Sequence, residues 1–186
     1  MTISAKVKLQ DLISSPGHHH YFLTDPYVRE DLRLARDSIR SRGLPAYVLR
    51  EYPPNKEKRI IINRIENRFF VVDGNKHLTA MLLALPGLCV ADLQCICPDL
   101  IRFWDRGIEH EGEQVIPYEI YIPTHIDTSA LREVRIGYDN FKWVPHVTKI
   151  IPADIPFDSP LFSGVDRGRP LSRTVAALRS DDVFCL

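Results

Sequence analysis

The stretch 68-RFFVVDGNKHLTAMLLA-84 changes character at Asp73-Gly74. Before that pair, aromatic and β-branched residues run together as they do in a strand. After it, Leu78, Met81, Leu82 and Leu85 recur on one helical face until Pro86-Gly87 stops the pattern. The chain therefore turns from strand to helix across a residue with no side chain. Asn75, Lys76 and His77 fall in the first helical turn.

A helix start presents backbone N–H groups without intrahelical partners, and the helix dipole adds roughly half a positive charge there. Gly74 leaves room for an anion to approach those amides, as in helix starts that hold phosphate. Lys76 adds a cation and His77 a titratable donor, although helix stability prefers acidic residues at this end. A bound phosphate would offset that placement. In the plainer reading, Asp73 is an ordinary N-cap that satisfies the amides while Lys76 and His77 stand in solvent. Neither a G-x-x-x-x-G-K-[ST] loop nor a G-x-G-x-x-G loop is present.

Working upstream, 59-RIIINRI-65 and 68-RFFVVD-73 flank Glu66-Asn67 and predict a hairpin. Glu66 and Asp73 are the carboxylates nearest the corner in sequence, and Glu66 also fits a simple turn role. A helix is expected over about 26–42, with Asp25 as cap, Pro26 at its first position, Val28, Leu32, Ala35 and Ile39 on one face, and Gly43 as its stop. A short strand and turn are expected in 5-AKVKLQDL-12, strands in 45-PAYVLREY-52, 89-CVADLQCI-96 and 115-VIPYEIYIP-123, and a loop at 14-SSPGHHHY-21. Short helices are expected at 127–137 and near 172–180, while five prolines make the segment from about 138 to 170 irregular. This reads as one α+β domain, with a core over about 5–137 and a proline-rich extension over about 138–186.

With 24 basic and 24 acidic residues among 186, no global field draws the chain to nucleic acid or an anionic membrane. A DNA partner would need a local strip, which Arg33, Arg36, Arg40 and Arg42 offer on the first helix; Glu30, Asp31 and Asp37 interrupt it, as on an ordinary solvated face. No window reaches the ~18 apolar residues of a membrane span, and the first residues lack the apolar core of a signal peptide. A cytoplasmic protein without membrane insertion is the expectation. The four cysteines, Cys89, Cys95, Cys97 and Cys185, lack zinc-site spacing, and Cys95 and Cys97, on one side of a strand, read as buried reduced thiols. In the His18-His19-His20 run, adjacent side chains diverge, which suits a loop better than a metal site.

The ordered set 37-DSIRSRGLP-45, strand 46-AYVLRE-51, strand and turn 69-FFVVDGNKH-77 and helix 78-LTAMLLAL-85 resembles the ParB/sulfiredoxin superfamily over about residues 5 to 96. The resemblance implies a mixed sheet with flanking helices and a strand-turn-helix corner that binds the phosphates of a nucleotide, ATP or CTP. On this chain the implied binding residues are Asp73, Gly74, Asn75, Lys76 and His77, with Ser38 supplying a hydroxyl. His20 and Tyr21 would lie in the loop that borders the nucleotide. Where the family has His-Arg, this chain has Lys76-His77, so bidentate guanidinium contacts are replaced by a point charge one position earlier. Asn75 occupies the position of the sulfiredoxin nucleophilic cysteine, and an amide cannot perform that attack. The paired helices of a ParB DNA-reading domain are also missing between 125 and 186.

The family's single-domain members remain: nucleotide hydrolases, kinases of free serine, and plasmid fertility-inhibition factors with ATPase and DNA-cleaving activity that block T-DNA transfer through type IV secretion. The last group implies an ATP-hydrolysing enzyme with Mg²⁺ bridging the phosphates. Lys76 would neutralise charge, and Asp73 or a neutral His77 would orient the water. Lys76 and the helix start should disfavour protonation of His77. Two alternatives stand beside it: a small-molecule kinase, and a protein without catalysis that docks on a secretion or conjugation component.

Overall fold

The computed structural model describes residues 7–14, 16–55, 57–105, 108–110, 113–116, 151–152 and 168–180. The expected helix at 127–137, most of the expected strand at 115–123, the bulk of 138–170 and Cys185 lie outside them.

Helix α2, Pro26–Arg42, begins and ends where its sequence dictates. The Asp25 carboxylate accepts from the N–H groups of Tyr27 and Val28 at 2.9 and 3.0 Å, and Pro26 supplies the helical φ of the first turn. Val28, Leu32 and Ile39 are buried along one face. Gly43, at φ 90, ends the helix and donates its N–H to Ile39 at 2.9 Å.

The hairpin is present as β2, Ile60–Ile65, and β3, Arg68–Asp73, with Ile62 opposite Val71 and Ile65 opposite Arg68. Its turn passes through Glu66 at φ 55, far along the hairpin from the Asp73 end. Strand β1, Ile13–Ser14, runs parallel to β3, and β4, Ile101–Asp105, runs parallel to β2. Strand β8, Arg169–Pro170, closes the other side antiparallel to β1, giving the order β4-β2-β3-β1-β8. A second sheet pairs β5, Ile108–His110, β6, Glu113–Ile116, and β7, Ile151–Pro152.

Helix α4, Asn75–Ala84, follows β3 after the single residue Gly74. From His77 to Ala84 every side chain is buried, because α4 lies against α2 and against α6, Leu171–Arg179. At its far end the Arg179 guanidinium donates to the carbonyls of Leu82 and Leu83 at 3.1 and 3.4 Å. Carbonyls left without helical partners thereby gain a cationic donor.

Three expected elements are corrected. Residues 45–52 do not form a strand but belong to helix α3, Leu44–Glu51, which buries Leu44, Tyr47 and Val48 at helical spacing. Residues 89–96 likewise form helix α5, Val90–Ile96, in which Asp92 caps the N–H of Cys89 at 2.7 Å. Of the two thiols expected to be buried on one strand face, Cys95 is therefore exposed and Cys97 alone is buried. The loop expected over 14–21 is largely helix α1, Pro16–Thr24, anchored by buried Phe22 and by a 2.8 Å hydrogen bond between His19 Nδ1 and Thr174 Oγ1 of α6. Of the short strand and turn expected over 5–12, the described residues show an isolated bridge between Lys8 and Cys89 followed by a 3-10 turn at Leu9–Asp11. Strand β4 carried no expectation. The result is a mixed α+β arrangement with helices flanking the five-stranded sheet, and no helix among the described residues is long and apolar enough to cross a membrane.

Candidate functional site

The corner between β3 and α4 is shaped by one backbone conformation. Gly74 has φ 97, and a Cβ there would come within 2.9 Å of Ile60 Cγ1 and 3.2 Å of its Cγ2. Glycine is required twice, by the torsion and by the adjacent strand β2. The Asp73 carboxylate accepts from the N–H of Gly74 at 2.7 Å and does not reach into α4, which has no side-chain cap. The first intrahelical bond runs from Leu78 N–H to Gly74 at 3.0 Å, which leaves the amides of Asn75, Lys76 and His77 at the open end. The N-cap reading of Asp73 is thus not what the geometry has: a glycine occupies the cap.

Asn75 is buried under this turn. Its side-chain amide donates to Val71 at 3.3 Å, its backbone carbonyl accepts from Thr79 Oγ1 at 2.8 Å, and its Oδ1 has no hydrogen-bond partner among the described residues. Lys76 turns outward, where its ammonium lies 2.9 Å from the Asp31 carboxylate of α2.

His77 is buried, 9% exposed, and more enclosed than Asp73 or Lys76 beside it. Its Nδ1 lies 2.9 Å from Tyr47 Oη of α3 and its Nε2 lies 3.4 Å from Lys58 Nζ. An ammonium has only protons to offer, so Nε2 accepts and Nδ1–H donates to the tyrosine oxygen. The ring also meets Tyr52 edge to face at 5.1 Å, and Lys58 stands 5.5 Å over the face of that same tyrosine. Burial pushes the imidazole down to about 4, with Lys58 the next contributor and Lys76 a smaller one. A neutral His77 agrees in direction with the sequence expectation, but its leading cause is enclosure. Burial likewise raises both tyrosine hydroxyls, so they remain protonated.

The remaining candidates are dispersed. Ser38 accepts from Arg50 Nη1 at 3.3 Å and has no hydrogen bond to the Asp73–His77 turn among the described residues. His20 is exposed on α1, where its carbonyl accepts from Thr24 at 2.9 Å. Glu66 sits in the hairpin turn. The arginine strip is broken, since Arg36 is buried and bonded to Asp37 while Arg33 pairs with Glu30 and Asp37; Arg40 and Arg42 are exposed.

Sequence reasoning missed Tyr47, Tyr52 and Lys58. Assigning 45–52 to a strand hid the helix that carries Tyr47, and nothing in PPNKEK distinguished Lys58 from a solvated charge. Comparison with protein-family models, curated proteins and solved structures gives no match to this chain.

Proposed function

We propose that the protein binds a nucleotide through its phosphates at the Gly74–His77 corner and hydrolyses it, as a nucleotide phosphohydrolase of ATPase type. The observation that carries this reading is the uncapped start of α4, where a left-handed glycine, the space of its missing Cβ taken up by Ile60 and not left for an anion, turns the chain so that the first helical amides have no side-chain cap. Three successive amides and the helix dipole favour a multiply charged anion there.

The residues also fit a magnesium nucleotide. Asp73 is half-buried beside the corner with one oxygen committed to Gly74, and one carboxylate suits an ion that keeps waters and phosphate oxygens as its other ligands. Mg²⁺ would there neutralise charge on the transferring phosphoryl group. Asp73 is better placed than His77 to orient a water, because both His77 ring nitrogens are engaged inside the protein. Cleavage of DNA would use the same amides on a backbone phosphate.

That engagement of His77 also favours a second reading, in which the corner binds nucleotide without turnover and the protein docks on a secretion or conjugation component. Release of inorganic phosphate from ATP with Mg²⁺ separates the two. Turnover that falls at least tenfold in a folded Asp73→Asn variant supports hydrolysis at this corner. Nucleotide binding with no release supports docking, and neither binding nor release removes both.

A further inference from the structure

Two lysines reach the start of α4, and their surroundings differ. Lys76 is half-exposed and held 2.9 Å from the Asp31 carboxylate, so its charge is already matched. Lys58 lies on the segment entering β2, and its ammonium pairs with no carboxylate among the described residues; it meets the neutral Nε2 of His77 at 3.4 Å and the face of Tyr52 at 5.5 Å. A neutral ring and an aromatic face hold a cation without cancelling its charge.

Polar groups beneath it are incomplete as well. Tyr52 is fully buried, its ring packs edge to face against His77, and its hydroxyl, which feels the Asp73 carboxylate, has no partner among the described residues. Asn75 Oδ1, at the first position of α4, is in the same condition. Buried polar atoms left unpaired are uncommon; the Tyr52 hydroxyl can donate to an anion at this helix start, whereas Asn75 Oδ1, an amide oxygen, only accepts and is left for a water or another donor.

We propose that Lys58, and not Lys76, is the side-chain cation that contacts the phosphate at this corner, with His77 acting as the positioning residue that holds the ammonium over the first turn of α4. This rests on the phosphate-site reading above. It assigns His77 a task other than proton abstraction and makes Lys76 a surface tether between α4 and α2. Arginine at position 58 would serve nearly as well, since a guanidinium also donates to Nε2 and to phosphate.

The test is calorimetric titration of the full chain with Mg²⁺-ATP and, separately, with inorganic phosphate. Lys58→Met is expected to weaken Mg²⁺-ATP binding about ten- to a hundredfold, and Lys76→Met less than about threefold, as follows from losing one charge-assisted contact. Lys58→Arg is expected to restore most of the affinity. His77→Leu should weaken binding in the native background and add nothing once Lys58 is Met, a non-additivity that general loosening of the fold would not give. Lys58 is exposed, so its variants retain the core. Wild-type binding that survives Lys58→Met but is lost in Lys76→Met would overturn the assignment of Lys58 and leave the phosphate site standing. Absence of wild-type binding to both probes would overturn the site and the assignment together.

Discussion

Tyr47 Oη and His77 Nδ1, 30 residues apart in sequence, stand 2.9 Å apart in the protein interior and join helices α3 and α4. Since Nε2 faces an ammonium, the shared proton belongs to the imidazole and the tyrosine oxygen accepts it. Tyr47→Phe therefore leaves a buried N–H without a partner, at an expected cost of about 1–3 kcal/mol in urea unfolding. His77→Leu removes the donor itself, and the double variant should cost less than the sum of the two. Additive effects would show that the pair is not coupled.

Stability should also depend on pH through His77. Its native value is pushed down to about 4 from an ordinary 6.5, so between those limits the unfolded chain takes up a proton that the native protein refuses. The contribution is complete above 6.5 and is lost as pH falls toward 4, on the order of 3 kcal/mol in all. His18, lowered by burial to about 4, acts in the same direction. Unfolding at pH 5 should therefore take up about one proton fewer in His77→Gln than in the wild type, read from the slope of stability against pH. An unchanged slope would show that His77 is not buried in its neutral form.

Much of this arrangement was legible in the sequence, and the exceptions have physical causes. Helix α2 announced its cap, its proline and its stop, and α4 announced its start through Asp73-Gly74 and its end through Pro86-Gly87. Helices α3 and α5 are too short for periodicity to outweigh strand-forming Tyr, Val and Ile, although Leu44, Tyr47 and Val48 do fall on one helical face. Helix α1 has no amphipathic stripe and takes its shape from tertiary contacts such as His19 with Thr174. The corner itself was readable because it is local. The environment of His77 was not, because Tyr47 and Lys58 arrive from 30 and 19 residues away.

Gly74 and Gly87 offer a paired test of the corner. Both have positive φ, 97 and 91, but a Cβ at Gly74 collides with Ile60 whereas one at Gly87 meets nothing within 4 Å. Gly87→Ala should cost only the left-handed torsion, about 1–2 kcal/mol. Gly74→Ala adds displacement of a core side chain on β2 and should cost roughly 3–5 kcal/mol, with ligand binding at the helix start lost in whatever remains folded. Equal effects at the two positions would show that Ile60 does not confine the corner.

The two ends of α4 should respond differently to the loss of a cation. Lys76 sits where the helix dipole is unfavourable to positive charge, and its ion pair with Asp31 is exposed on both sides. A surface pair of this kind contributes about 0–1 kcal/mol, and removing the repulsion from the dipole returns a similar amount. Lys76→Ala should thus leave stability within about 0.5 kcal/mol of the wild type. Arg179 stands at the opposite end, where its guanidinium donates to the carbonyls of Leu82 and Leu83. Arg179→Ala removes a favourable charge and two charged hydrogen bonds from α4, and should destabilise by about 1–2 kcal/mol. Urea unfolding of the two variants side by side reads the difference directly. A loss at Lys76 as large as that at Arg179 would mean that the Asp31 tether contributes structurally to the packing of α4 on α2.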